Sequence, residues 1–265
     1  MTRVAIAGLG AIGQVLVVRL SQVPGIEVAA VSARNHARAE ETLRGLGVRV
    51  PVIPVTELEP LADLVVECAP AHLLPSIAEP FLRAGKEAIV LSAGALLQNP
   101  HLLELAEAHG GRISVPTGAL LGLDAVAAAA EGEITSVRLT SRKPPAALIG
   151  APGIAESGID LEDLSEPVLV FSGTARQAAH GFPANLNVAV ALSLAGPGPD
   201  ATVVEVWADP AVTKNTHTIL LTSDTADLSM TIENVPSENP RTGRITALSV
   251  VSMLRKRHAT LRVGS

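Results

Sequence analysis

The chain has 265 residues, 48% of them hydrophobic, 17% charged and 2% aromatic, so it has the apolar content for a large buried core and not that of a disordered chain. Twenty lysines and arginines against 26 aspartates and glutamates leave a formal charge of −6, which offers no general attraction to nucleic acid or to an anionic membrane. The single cysteine, Cys68, excludes an intramolecular disulfide, and no Cys/His cluster has metal-site spacing.

From Arg3 to about Ser92, short apolar runs alternate with helix-like segments, the rhythm of parallel strands joined by crossover helices. Strands are predicted from Val4 to Ala7, Val28 to Ser32, Leu64 to Cys68 and Ala88 to Ser92. Helices are predicted from Ile12 to Gln22, Ala37 to Leu46 and Leu73 to Ala84, with prolines marking the loops. A helix from Asn99 to His109 and a short strand from Arg112 to Val115 complete a doubly wound parallel sheet. Residues 1–115 are thus read as a Rossmann, dinucleotide-binding domain.

After Pro116 the strands follow one another more directly: Ile134 to Ser141, Val168 to Gly173, Thr202 to Trp207, Thr216 to Ser223 and Leu228 to Asn234. In the last, Leu228, Met230 and Ile232 alternate with Ser229, Thr231 and Glu233, the period of a sheet with one wet face. With helices from Leu123 to Ala130 and from Pro183 to Leu194, residues 116–238 read as a smaller α+β domain with a mostly antiparallel sheet, serving substrate binding and dimerisation. Residues 239–265 carry a last helix, Thr242 to Arg257, expected to pack back near the first domain. The richest apolar stretch, Ala184 to Ala195, is shorter than the ~20 residues of a membrane span. With no signal-peptide pattern at the start and one cysteine, the expectation is a soluble, cytoplasmic protein.

The strongest local signal is Gly8-Leu9-Gly10-Ala11-Ile12-Gly13, which follows a strand and opens a helix. Gly8 permits the tight turn, Gly10 admits a pyrophosphate to the backbone, and Gly13 lets the helix approach the strand, while the amides of Ala11 and Ile12 face the phosphates. The second strand ends without the carboxylate that would hold a ribose 2′-hydroxyl, since Glu27 sits at its other end. Ser32, Arg34 and Asn35 stand there instead and suit a 2′-phosphate, so the cofactor is expected to be NADP, with or without NAD.

Of seven histidines, His217 is singled out by its strand. Period two puts Asn215 and His217 on the face of Ile219 and Leu221, away from the threonines, so two polar groups point at a core or a cleft. Such a histidine is either hydrogen-bonded packing or a catalyst. The other histidines read as surface residues and Cys68 as buried packing. Arg142, Lys143 and Lys214, with Asn215, are the candidates for binding an anionic substrate.

With these segments placed, the chain resembles the L-aspartate dehydrogenases from Arg3 to about Leu261. The resemblance rests on Gly8 to Gly13, Glu67-Cys-Ala69, Ser92-Ala-Gly-Ala95, Pro116 to Ala125 and Arg142-Lys-Pro-Pro145. It continues through Phe182 to Ala189, Asp209-Pro210 with Asn215-Thr-His217, and Asn239 to Ile245. It implies NAD(P)-dependent oxidative deamination of L-aspartate through iminosuccinate to oxaloacetate and ammonia, or the reverse, with a link to NAD biosynthesis. It also implies that His217 is the active-site histidine and Asn187 a cofactor contact, and that Leu121 stands where the family often has a small cofactor-contacting alanine. A histidine with an ordinary pKa near roughly 6.5 would serve as acid or base beside the nicotinamide, at the cleft between the domains. An open sheet edge and the resemblance both suggest a homodimer. Two other readings stay open: a different substrate, as in dihydrodipicolinate reductases or homoserine dehydrogenases, and a nicotinamide-binding regulator without turnover.

Overall fold

The structure, a computed structural model, describes residues 1–183, 186–237 and 243–264. Ala184 and Asn185 of the Phe182 to Ala189 motif lie outside the described residues, as do 239–242 of the Asn239 to Ile245 motif and Thr242 of the expected last helix. The chain divides into two compact units. One comprises Met1–Gly118 with Thr246–Val263, and the other chiefly Ala119–Ile245.

The first unit alternates β1 (Thr2–Ala7), α1 (Ala11–Leu20), β2 (Ile26–Ser32), α2 (His36–Gly45), β3 (Leu64–Glu67), α3 (Leu74–Arg83), β4 (Glu87–Val90), α4 (Ala93–Leu96), α5 (His101–His109) and β5 (Arg112–Ser114). All its strands are parallel, in the order β2-β1-β3-β4-β5. Val52 adds a parallel bridge to Val31 outside β2, the trace of a sixth strand that turns this order into the Rossmann arrangement. Alternation along β1 divides the core. Val4 and Ile6 face Leu16, Val17 and Leu20 of α1, whereas Ala5 and Ala7 face Ile77, Phe81 and Leu82 of α3. Burial of both faces explains the near-continuous apolar runs in these strands.

In the second unit come α6 (Leu123–Ala129), β6 (Ile134–Lys143), α7 (Pro152–Ser157), β7 (Val168–Thr174), α8 (Ala175–Gly181), α9 (Asn187–Ala195), β8 (Thr202–Ala208), β9 (Asn215–Ser223) and β10 (Asp227–Asn234). Its sheet runs β10-β9-β6-β8-β7. Three pairings are antiparallel, but β6 and β8 are parallel. That pairing requires the crossover through α7, β7, α8 and α9, and the helices α7 and α8 were missed by periodicity because each is under two turns. A capping box at the start of α8, Thr174 with Gln177, was a legible signal for it. Val137, Leu139, Val204, Val206, Ile219 and Leu221 form the inner face of the sheet, against Val126 of α6, Ala178 of α8 and Ala189 and Leu192 of α9.

The last helix, α10 (Ile245–His258), belongs to the first unit almost entirely. Its Ala247, Val250, Val251 and Leu254 join the cluster around α1, and Ser249 Oγ accepts the Gly118 amide at 3.1 Å. Arg257 pairs with Glu87 of β4, and although burial raises that carboxyl, hydrogen bonds from Arg257 and Ser114 outweigh it and hold Glu87 below the usual carboxylate range.

Candidate active site

Chemistry-bearing residues gather in two places, one in each unit. In the first unit they lie at the carboxyl ends of β1 to β4, where the strand order of an open α/β sheet reverses and ligands are held. Gly8 adopts φ +111°, which side chains disfavour, and a Cβ there would lie 2.6 Å from the Cys68 carbonyl oxygen. Its amide donates to the Ser32 carbonyl at 2.8 Å, tying β1 to β2 at the turn. A Cβ on Gly13 would lie 2.0 Å from the Gly8 oxygen, so α1 can start this close to β1 only with glycine there. At Gly10, by contrast, a Cβ would meet nothing within 4 Å. Gly10 caps α1 without a side-chain hydrogen bond and no acidic residue occupies the first turn. Among the described residues the amides of Ala11, Ile12 and Gly13 have no acceptor, so the turn presents free donors at the positive end of a helix beside open space. These residues fit a dinucleotide pyrophosphate.

At the end of β2, Ser32 is buried and Arg34 is exposed, with no ion pair among the described residues. Asn35 is committed elsewhere, because its Oδ1 caps α2 by accepting the Arg38 amide at 3.0 Å. Arg38, exposed one turn along, adds a second guanidinium that the sequence reading passed over. No acidic residue enters the first turn of α2, so the field at this strand end is positive.

Glu67 is the other residue of this unit that sequence reasoning missed, although it opens the Glu67-Cys-Ala69 motif. It is fully buried at the end of β3. Its Oε2 accepts the Leu91 and Ser92 amides at 3.2 and 2.9 Å, and its Oε1 accepts the Ala69 amide and Ser92 Oγ, both at 3.1 Å. Burial pushes its pKa up, and these hydrogen bonds oppose that shift without cancelling it. One carboxyl group thereby fixes the loops after β3 and β4. Burial, with the Glu67 charge, raises the Cys68 thiol well above its ordinary value, which leaves Cys68 unreactive.

In the second unit the inner face of the sheet becomes polar at one end. The register places Ser141 of β6 directly beside His217 of β9, and Ile232 of β10 on the other side of His217. The next row holds Lys143, beside Ala208 of β8, and Asn215, beside Asn234 of β10. All five polar residues are buried, none more than 5% exposed. Among the described residues Ser141 Oγ, His217 Nδ1 and Asn234 Oδ1 lack a hydrogen-bond partner, and no hydrogen bond or ion pair reaches the Lys143 ammonium. Asn234 Nδ2 donates to the Ala119 carbonyl at 2.9 Å.

This corner is costly. A buried polar atom without a partner costs about 1–3 kcal/mol. Burial alone pushes the Lys143 pKa down to about 8 from 10.5, so at neutral pH its ammonium destabilises the fold by about 3 kcal/mol. His217 is pushed down to about 3, first by burial and then by the Lys143 charge. Its imidazole is therefore neutral at physiological pH, which corrects the expectation of an ordinary pKa near roughly 6.5. Between about 3 and 6.5 the unfolded chain binds a proton there that the folded chain does not, so the stability associated with neutral His217 is lost as pH falls through that window. A packed core has no use for such groups, whereas a ligand with complementary donors and acceptors would satisfy them.

The pleat separates the other candidates from this corner. Arg142 projects to the opposite face from Lys143, half-exposed, paired with Asp209 at 3.2 Å and stacked over the Trp207 ring at 4.9 Å. Lys214 is half-exposed before β9 and pairs with Glu233 at 3.3 Å. Neither belongs to the buried cluster. Asn187 is half-buried at the start of α9, and Leu121 packs partly buried against the second core.

A parallel sheet with this glycine turn, joined to a mixed sheet that buries an imidazole and an amine, defines a nicotinamide-dependent dehydrogenase of two units. Comparison agrees: residues 8–116 match the NAD-binding domain model of homoserine dehydrogenase, and residues 124–257 the C-terminal domain model of aspartate dehydrogenase. L-aspartate dehydrogenase 3 of Bordetella bronchiseptica is 60% identical, over 99% of this chain and 97% of its own length. The L-aspartate dehydrogenase of Bradyrhizobium diazoefficiens is 56% identical, over 99% and 94%. The crystal structure of aspartate dehydrogenase from Thermotoga maritima shares the fold, with a TM-score of 0.78 at 24% identity and all of both chains covered. The chain belongs to the aspartate dehydrogenase family.

Because a Cβ at Gly10 would meet no atom within 4 Å, Gly10→Val separates folding from binding. The variant is expected to keep the wild-type melting temperature and to lose at least tenfold in coenzyme affinity by calorimetry; unchanged affinity would move the pyrophosphate away from this turn.

Proposed function

We propose that the chain catalyses NAD(P)-dependent oxidative deamination of L-aspartate to iminosuccinate, which hydrolyses to oxaloacetate and ammonia, and the reverse amination. The observation that carries this reading is the cluster of Ser141 Oγ, His217 Nδ1 and Asn234 Oδ1, unpartnered among the described residues, on an otherwise apolar sheet face, in a chain 60% identical to an L-aspartate dehydrogenase. Substrates related to those of homoserine dehydrogenase have support only from the match of the first unit.

The backbone from Gly8 to Gly13, with the amides of Ala11 and Ile12, would hold the coenzyme pyrophosphate. Ser32 and Arg34 would hold the adenosine ribose and its 2′-phosphate, with Asn35 serving mainly as the cap of α2, which favours NADP while leaving NAD usable. Leu121 and Asn187 are assigned to coenzyme contacts on the family pattern alone. When bound, the oxidised nicotinamide supplies the acceptor for the hydride that leaves the substrate α-carbon. His217, neutral and with Nδ1 unpartnered among the described residues, would orient the substrate nitrogen and the attacking water by hydrogen bonding. Ser141 and Asn215 would complete the polar wall, and burial of this corner would keep bulk water from the reacting carbon. Arg142 and Lys214 retain an electrostatic role at most.

A homodimer formed through an open edge of the second sheet, β7 or β10, is part of the same proposal. So is a cytoplasmic location, supported by the lone cysteine; no helix among the described residues is long and apolar enough to cross a membrane.

Aspartate-dependent reduction of NADP or NAD, followed at 340 nm, tests the reading, and turnover only with another substrate, or none, would refute it. His217→Ala should lower kcat by about 10² to 10⁴ with coenzyme affinity nearly unchanged. Arg34→Glu should cut kcat/KM for NADP by about tenfold or more while sparing NAD; an equal loss with both would take the 2′-phosphate away from Arg34.

A further inference from the structure

Oxidative deamination begins with a proton problem. The substrate nitrogen enters as an ammonium, and a hydride can leave the neighbouring carbon only once that nitrogen has a lone pair to form the C=N bond. We propose that Lys143 is the group that takes this proton, its neutral amine receiving it from the substrate ammonium. The inference rests on the dehydrogenase reading above.

In this step one N–H bond of the substrate breaks, its electron pair stays on the substrate nitrogen, and one N–H bond forms at Lys143 Nζ. In the amination direction the Lys143 ammonium returns the proton to the product nitrogen. Among the described residues the geometry leaves no other group for the task. Lys143 is 1% exposed and shares the inner face of the sheet with Ser141, His217, Asn215 and Asn234, none of which is an effective base here. Neutral His217 binds a proton too weakly, with a pKa pushed down to about 3. After β8, Asp209 is occupied by Arg142 and by the Ala211 amide. The helices over this face bring no buried charge: α9 has no ionisable residue, and Asp124 of α6 and Arg176 and His180 of α8 are exposed. Among the described residues no charged group therefore holds Lys143 in its ammonium form.

Burial pushes Lys143 down to about 8, so about a tenth of it is neutral at pH 7, against a few in ten thousand for an ordinary lysine. The oxidative rate should rise with pH up to about 8 and then level, while the amination rate should fall above about 8, because each direction needs the opposite state of the same amine.

The rival role for Lys143 is a fixed cation that anchors a substrate carboxylate, and two variants separate the roles. Lys143→Met should raise the melting temperature, since it removes a buried unpaired charge, and should lower kcat by about 10² to 10⁴ with the limb near pH 8 abolished and KM for aspartate changed less than about fivefold. Lys143→Arg keeps the charge but cannot give up its proton, and should be equally impaired in kcat. An anchoring role predicts the reverse, a raised KM in the Met variant and recovery in the Arg variant, and would overturn the proposal. Independently of turnover, the 13Cε resonance of Lys143, assigned by its loss in the Met variant, should titrate near pH 8; titration near 10.5 would overturn it too. A wild type inactive on aspartate sinks the dehydrogenase reading, whereas an active wild type whose pH limb survives in Lys143→Met sinks only the role of the lysine.

Discussion

Desolvation of one end of the second sheet is the constraint on which the rest depends. Lys143, His217 and Ser141 could be exposed or replaced by apolar residues at a gain in stability, yet the fold keeps all three buried, with Ser141 Oγ and His217 Nδ1 unpartnered among the described residues. Burial is also what changes their chemistry. It brings the lysine within reach of its neutral form and, with the Lys143 charge adding to it, makes the histidine a neutral hydrogen-bonding group. The same arrangement in contact with water would leave two ordinary cations at mildly acid pH.

The first unit solves a different problem by a different means. A pyrophosphate needs close approach to amides, so this region is specified by what is missing: no side chain at Gly8, Gly10 and Gly13, no cap on α1, no acid at the end of β2. Glu67 shows how such an open region stays rigid. Its carboxyl gathers donors from two loops, so the ends of β3 and β4 are fixed by a residue at the base of the turns rather than by groups facing the ligand. Four hydrogen bonds partly offset the cost of burying the Glu67 carboxyl, whereas none among the described residues does so for Lys143.

Much of this was legible in the sequence because it follows periods. Period two in β9 placed Asn215 and His217 on the buried face, and the position of the glycine run between β1 and α1 fixed its structural role. Less legible were features that depend on register between distant strands. That Ser141 lies beside His217, and that Lys143 shares its face while Arg142 points away, follows from pairing β6 with β9, which no local pattern encodes. The parallel pairing of β6 and β8 was hidden for the same reason, with two short helices in the crossover. Glu67 was hidden by its type, since a glutamate ending an apolar strand reads as exposed until its donors are known. The pKa of His217 is a property of burial in three dimensions and has no sequence signature.

The neutrality of His217 is the most direct point of attack on this account. With 15N-labelled histidine, the ring nitrogens of His217 can be followed by NMR as the ligand-free protein is brought from about pH 8 to about pH 5, and the His217→Ala protein identifies the signals. The account predicts a neutral imidazole across that whole range. A His217 ring that gains its proton within that range would mean that water reaches this end of the sheet, and the protonation states assigned to both His217 and Lys143 would be wrong.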